Sequence, residues 1–119
     1  MALRRLRIVV ADNDADALDL LVTDLGLEGH EVIAAATDGV AALAACDAEQ
    51  PDVLVVDHRM PPGPSGAEVA EQLHRDGSPV RVIVYSNYRD PAVVDRVLAA
   101  GATFLPKGSL RALRRAVSG

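Results

Sequence analysis

Between Leu6 and Ser118, five short apolar runs alternate with five stretches of helical periodicity, joined by short connections. That alternation constrains the fold more than any other feature. Strands separated by a helix cannot pair as hairpins, so they run parallel, and a parallel sheet needs cover on both faces. The third run, Val53-Leu54-Val55-Val56, is wholly apolar and mostly β-branched, as suits a strand buried on both sides. It leads directly into Asp57, then His58-Arg59-Met60-Pro61 and a loop rich in Pro and Gly. Asp57 is thereby expected at the carboxyl end of a central strand, where open α/β sheets carry their chemistry. Alone, it could equally cap a turn or pair with a surface cation.

The pattern predicts strands at residues 6–11, 31–36, 53–56, 80–85 and 103–106. A first helix, 15–25, carries Leu18, Leu21, Val22 and Leu25 at helical spacing; Asp14 or Asp16 caps it and Gly26 ends it. A second opens at Asp38-Gly39, passes Val40, Leu43 and Ala44, and stops before Pro51. A third starts at Ser65 and carries Val69, Gln72 and Leu73. Asp90 caps a fourth, with Pro91 at its first position; it carries Val94, Val97 and Leu98 and reaches Gly101. The last spans 109–118, with Leu110, Leu113 and Val117 on one side. Right-handed crossovers leave few topologies. The expected one is the flavodoxin-like (βα)5 doubly wound sheet, strand order 2-1-3-4-5. It makes the fifth strand an edge, where Pro106 is tolerated. Residues 1–119 read as one domain.

Half of the residues are apolar, enough for one compact core. A net charge of −5, few aromatics and no Trp argue against a nucleic-acid platform. Arg4, Arg5 and Arg7 cluster at one end and Arg111, Arg114 and Arg115 at the other; both read as solvated faces, with partner docking as the alternative. No run is long enough to span a membrane, and no cleavable apolar segment follows the basic start. The one cysteine, Cys46, has no partner for an internal disulfide, so a cytoplasmic setting is expected. In its Ala-rich helix it reads as a buried, inert thiol. His30, His58 and His74 lack metal-ligand spacing, and the His58 side chain should point away from that of Asp57.

In the expected order the ends of strands one and three lie side by side. They carry Asp12 and Asn13 on one side and Asp57 on the other, with Ser86 and Lys107 at the neighbouring strand ends. Clustered oxygen ligands suit a hard cation such as Mg²⁺. An aspartate beside it can attack phosphorus, with Lys107 and the Ser86 hydroxyl stabilising the transferred group. Each residue has a plainer role available: helix cap, turn or solvated cation. Five suitable groups at four strand ends make coincidence a poor account.

These residues resemble the receiver domain of two-component response regulators, over the whole chain. Ala11-Asp12-Asn13 resembles the family's acidic pair, and Asp57-His58-Arg59-Met60-Pro61 its phosphoacceptor motif. Ser86, Lys107 and Phe104 match its Ser/Thr, lysine and aromatic switch positions, and Ala99-Ala100-Gly101-Ala102 its turn before strand five. The resemblance implies phosphorylation of Asp57 by a sensor histidine kinase. Asp12, Asn13, Asp57 and the Arg59 backbone carbonyl would hold Mg²⁺, and Ser86 and Phe104 would form the switch. It further implies a protein that is not an enzyme beyond gain and loss of its own phosphoryl group. Partners would be a homodimer through helix four, strand five and helix five, and a DNA-binding output domain in a longer chain, as Leu105-Pro106-Lys107-Gly108 resembles receivers that precede helix-turn-helix outputs.

Four departures stand out. Asn13 replaces the second acidic residue, with Asp14 displaced into the helix cap. The loop 62–66 is one residue longer than the common pattern. Gly108 stands where many members have a cis proline. Asn87 and Tyr88 follow Ser86, where a small residue is usual. Two other readings compete: an interaction module that signals without phosphorylation, favoured by Asn13, and a small haloacid-dehalogenase-like phosphatase using Asp12-Asn13-Asp14.

Overall fold

The computed structural model describes residues 4–119; Met1, Ala2 and Leu3, the start of the basic stretch, lie outside the described residues. The order of elements is β1 (Arg7–Ala11), α1 (Ala15–Leu27), β2 (Glu31–Ala36), α2 (Gly39–Glu49), β3 (Val53–Val56), α3 (Gly66–Arg75), β4 (Arg81–Ser86), α4 (Pro91–Ala99), β5 (Thr103–Pro106) and α5 (Leu110–Ser118). The strands form one parallel sheet in the order β2-β1-β3-β4-β5. This is the flavodoxin-like topology the alternation predicts, with Pro106 on the edge strand.

Strand alternation splits the core in two. Val9, Ala11, Leu54, Val56, Val82 and Val84 face the side covered by α2, α3 and α4. Ile8, Val10, Val53, Val55, Ile83 and Tyr85 face α1 and α5. β3 is buried along its whole length, and each such side chain contributes roughly 1.5–3 kcal/mol of transfer free energy. Slipping β3 by one residue would exchange its two faces, so both cores hold its register and thus the position of Asp57.

Helix starts follow the sequence signals. Asp14, Asp38, Asp90 and Ser109 cap α1, α2, α4 and α5, and Ser65 with Glu68 forms a capping box on α3. Several boundaries differ. α1 continues through Gly26 to Leu27, because the left-handed residue that turns the chain is Gly29 (φ +90°). α4 ends at Ala99, two residues before the positive-φ Gly101. β1 begins at Arg7 rather than residue 6. β4 spans Arg81–Ser86 rather than 80–85, with Arg81 aligned to Val53.

The arginine clusters need a larger correction. Arg114, although its side chain is 41% exposed, is not free: it forms a bidentate ion pair with the buried Asp24 of α1, its Nε 3.1 Å from Oδ2. A buried carboxylate needs such a partner. The pair directs Arg114 to the α1 side. Arg111 and Arg115 remain exposed.

Cys46 is buried, and burial pushes its thiol up to about 11. Alkylation of the native protein at pH 8 should be far slower than of the unfolded chain, whose thiol has an ordinary pKa. Thiol titration with and without denaturant checks this; equal rates would contradict it. Because the folded state holds the proton more tightly, this group's contribution to stability is present below pH 9 and lost as pH rises towards 11.

Candidate functional site

Three strand ends assemble the site. β1 runs into Asp12, whose Oδ1 accepts the Asp14 amide at 2.9 Å. The Asp57 amide donates to the Ala11 carbonyl at 3.0 Å, tying the end of β3 to that of β1. Asp57 Oδ1 accepts the His58 amide at 2.8 Å, and its Oδ2 lies 3.5 Å from Lys107 Nζ. Lys107 follows β5 and is anchored by its own amide, which donates to the Ser86 carbonyl at 3.1 Å. Its ammonium donates to Asp12 Oδ2 at 2.7 Å. Two carboxylates from different strands thus meet one ammonium.

The charges do not cancel. Asp12 is fully buried, while the side chains of Asp57 and Lys107 are 13% and 20% exposed. Burial works against the Lys107 charge, but the hydrogen bond to Asp12 and the Asp57 carboxylate hold its pKa above the ordinary lysine value. One ammonium against two carboxylates leaves negative charge at the pocket, where like charges repel and a cation is favoured.

The remaining candidates sit around this centre. Asn13 is exposed beside Asp12. Ser86 is buried at the end of β4, and its Oγ accepts the Tyr88 amide at 3.2 Å. Phe104 is half-buried, in register with Val84 and packed on the α2-α3-α4 side of the core. Arg59 is exposed, with its guanidinium 5.0 Å from the centroid of the Tyr88 ring. His58, as expected, does not follow the Asp57 side chain towards Lys107. Its ring is buried, and Nδ1 accepts the Ala67 amide at 3.3 Å. Burial, then the Arg96 charge, lowers its pKa and so favours the neutral ring that this contact needs.

Sequence reasoning missed two residues. Gly66 opens α3 directly beneath Asp57, where a Cβ would stand 2.9 Å from both the Asp57 carbonyl carbon and His58 Cα, and closer still to the Asp57 oxygen. Tyr88 stands out in the sequence only as a departure near Ser86, yet its ring stacks on His58 with centroids 5.2 Å apart and planes 19° apart. A cleft of about 510 Å³, lined by Leu43, Cys46, Gln50, Leu73 and Pro79 among others, lies at the opposite ends of the strands and takes no part in this chemistry.

The model of the response regulator receiver domain family matches residues 8–118. The chain belongs to that family. Among curated relatives of this receiver, the Mycobacterium tuberculosis protein named "Probable transcriptional regulatory protein NarL" is 39% identical over 109 residues, covering 90% of this chain and 50% of the relative. The oxygen regulatory protein NreC of Staphylococcus carnosus is 32% identical, covering 82% of this chain and 45% of its own. The receiver spans about half the length of these relatives. Its fold superposes on the signal receiver domain of NarL from M. tuberculosis with a TM-score of 0.89 at 38% identity, over 96% of this chain and 94% of that one. Within this receiver, the departure after Lys107 has a conformational form: Gly108 adopts φ +124°. No helix among the described residues is long and apolar enough to cross a membrane.

Proposed function

We propose that Asp57 is the phosphoacceptor of a two-component system. The observation that carries this reading is the meeting of the Asp12 and Asp57 carboxylates at the Lys107 ammonium. In the transfer, a carboxylate oxygen of Asp57 forms a bond to phosphorus as the bond from phosphorus to a histidine nitrogen of a sensor kinase breaks. Lys107 reaches both carboxylates and is placed to neutralise charge on the arriving group, and the Ser86 hydroxyl to hydrogen-bond one of its oxygens. The protein is not an enzyme in this reading; its chemistry is gain and loss of its own phosphoryl group.

Mg²⁺ fits the donor set. Among the described residues no three His, Cys, Asp or Glu side chains form a metal cage. Mg²⁺ needs only one or two carboxylates beside its waters, and two converge here with charge unbalanced. Asp12, Asp57, the Asn13 amide oxygen and the Arg59 carbonyl are the groups that would hold it. A neighbour of 26% identity and TM-score 0.84, CheY of Borrelia burgdorferi, is a complex with CheX, BeF3 and Mg²⁺. Bound Mg²⁺ would supply charge neutralisation on the phosphoryl oxygens. Asn13→Asp should tighten Mg²⁺ measurably by titration calorimetry, since affinity for hard cations follows ligand charge. Because Asn13 is exposed, the metal-free protein should lose no more than about 1 kcal/mol. Unchanged affinity would mean that position 13 is not a ligand.

The switch reading assigns Ser86 and Phe104 to sensing the phosphoryl group and places its readout on α4, β5 and α5, as a homodimer or contact with a C-terminal DNA-binding output. The relatives' names as transcriptional regulators and their doubled length support that. The free, buried Cys46 supports a cytoplasmic setting. Asn13 alone favours a module that signals without phosphorylation. Against the phosphatase reading, Asp14 is spent on capping α1. Incubation with acetyl phosphate and Mg²⁺, read by intact mass, should add one phosphoryl group; no addition would defeat the reading.

A further inference from the structure

The last turn of α5 is held from outside the helix. A helix leaves its final four carbonyls without intrahelical partners, and such ends fray. At the end of α5 the Arg115 carbonyl accepts the Gly119 amide at 2.9 Å. The next two carbonyls, those of Ala116 and Val117, both accept from the Arg81 guanidinium, the first through Nη1 at 3.1 Å and the second through Nη2. Arg81 is the first residue of β4, and its own amide donates at 3.1 Å to the carbonyl of Asp52, which precedes β3. One planar fork of donors thus joins the sheet to two successive carbonyls, a geometry that a lysine ammonium cannot copy. The helix dipole also favours a cation at this end. Beside these contacts Val117 is fully buried and Arg114 is paired with Asp24 of α1. The end of α5 is therefore tied to β4, to α1 and to the core.

A similar contact lies on the other face of the sheet. Arg7, the first residue of β1, reaches the end of α2, where its Nη1 donates to the Glu49 carbonyl at 2.8 Å and to the Gln50 carbonyl at 3.0 Å. There the chain runs on into β3, which holds that end in any case. No strand of the sheet follows α5, so at α5 the arginine does what a following strand does for α2. We propose that Arg81 is a clasp that makes the carboxyl end of α5 a fixed mount, held in one orientation to the sheet in both the free and the phosphorylated state. In a longer regulator of the kind proposed above, the output would then be steered by surfaces that change around a rigid exit, not by release of a loose tail. The clasp is anchored at the end of β4 opposite Ser86, in a register fixed by the buried Val82, Ile83 and Val84. Arg81 is a positioning residue, acting through the end of α5.

Spin labelling tests it. Ser118 and Ala48 are exposed, one in the last turn of each of the two helices. Ser118→Cys or Ala48→Cys takes a nitroxide, while the buried Cys46 thiol stays protonated and unlabelled. With Arg81 present, both labels should show the slow motion of an ordered helix. Arg81→Ala should shorten the rotational correlation time at 118 severalfold and leave that at 48 unchanged, and Arg81→Lys should fall between. Arg7→Ala should mobilise the label at 48 far less, because β3 still holds that end. Saturating beryllofluoride with Mg²⁺, a phosphoryl mimic followed by its own bound fluorine signal, should leave the label at 118 as slow as before. Equal motion at 118 with and without Arg81 would overturn the clasp. So would a matching gain at 48 in Arg81→Ala, which marks general loosening. Mobilisation at 118 by bound beryllofluoride would overturn the fixed mount. Absence of a bound signal would instead defeat the phosphoacceptor reading, and the arginine variants would still decide the clasp.

Discussion

Asp57→Asn is expected to abolish phosphoryl uptake from acetyl phosphate while leaving the fold as stable as before, or more so. Asparagine has nearly the same shape, and its oxygen can still accept the His58 amide that Oδ1 accepts at 2.8 Å. What it lacks is the anionic oxygen that bonds to phosphorus. The charge lost is one of two carboxylates sharing a single ammonium, and Lys107 keeps its 2.7 Å contact to Asp12. Removing a like charge from that pair relieves repulsion, so the stability change should lie within about 1 kcal/mol. Intact mass and a thermal melt on the same sample separate the two effects. A variant that still gains a phosphoryl group would show that another residue is the acceptor, and one that melts much earlier would show that Asp57 is structural.

Gly66→Ala should produce the largest loss of stability among the substitutions considered, at a residue that never touches the phosphoryl group. The added methyl would lie against the backbone of Asp57 and His58, at 2.9 Å from two carbon atoms and nearer to the Asp57 carbonyl oxygen. Backbone cannot rotate away as a side chain can. Either α3 backs out of its packing, which buries Ala67, Val69 and Ala70, or the turn after β3 shifts. Overpacking costs about 1–3 kcal/mol even where side chains can adjust; here the upper end or beyond is expected, or a fall in Tm on the order of 10 °C. If the turn is what shifts, Asp57 is displaced, and misplacing a reacting group by about 1 Å can cost on the order of a hundredfold in rate. Circular dichroism melts and initial rates of mass gain read the two consequences. A melting point within a degree of wild type, at unchanged rate, would mean that the contact relaxes freely.

Gly66 also shows where reading the sequence stops. Periodicity and capping residues were sufficient for the sheet order, the ten elements and the convergence of Asp12, Asp57 and Lys107, because these depend on patterns within a few residues and on a short menu of parallel topologies. The close approach of α3 to the Asp57 turn depends on how two distant segments pack, and a glycine at the start of a helix carries no local sign of it. Gly26 misleads the other way: a glycine at a plausible stop reads as the end of α1, whereas the left-handed turn falls at Gly29. Arg114 looked like part of a basic face because its partner, Asp24, lies 90 residues earlier in the chain. Tyr88 and His58 are thirty residues apart and gave no joint signal, so their stack emerged only from the assembled loops.

The loop after β3 leans on α2. A Cβ at Gly39 would lie 2.7 Å from the Pro64 ring and closer still to its carbonyl oxygen, so Pro64 occupies the volume that any larger residue at 39 would take. Pro64 of that loop is thus accommodated by the missing side chain at Gly39 in another helix. Loop length and the residue at position 39 should behave as a single inherited character. Among descendants and cousins of this chain, shortening of the loop should accompany a return of side chains at 39, and a change in either alone should be selected against.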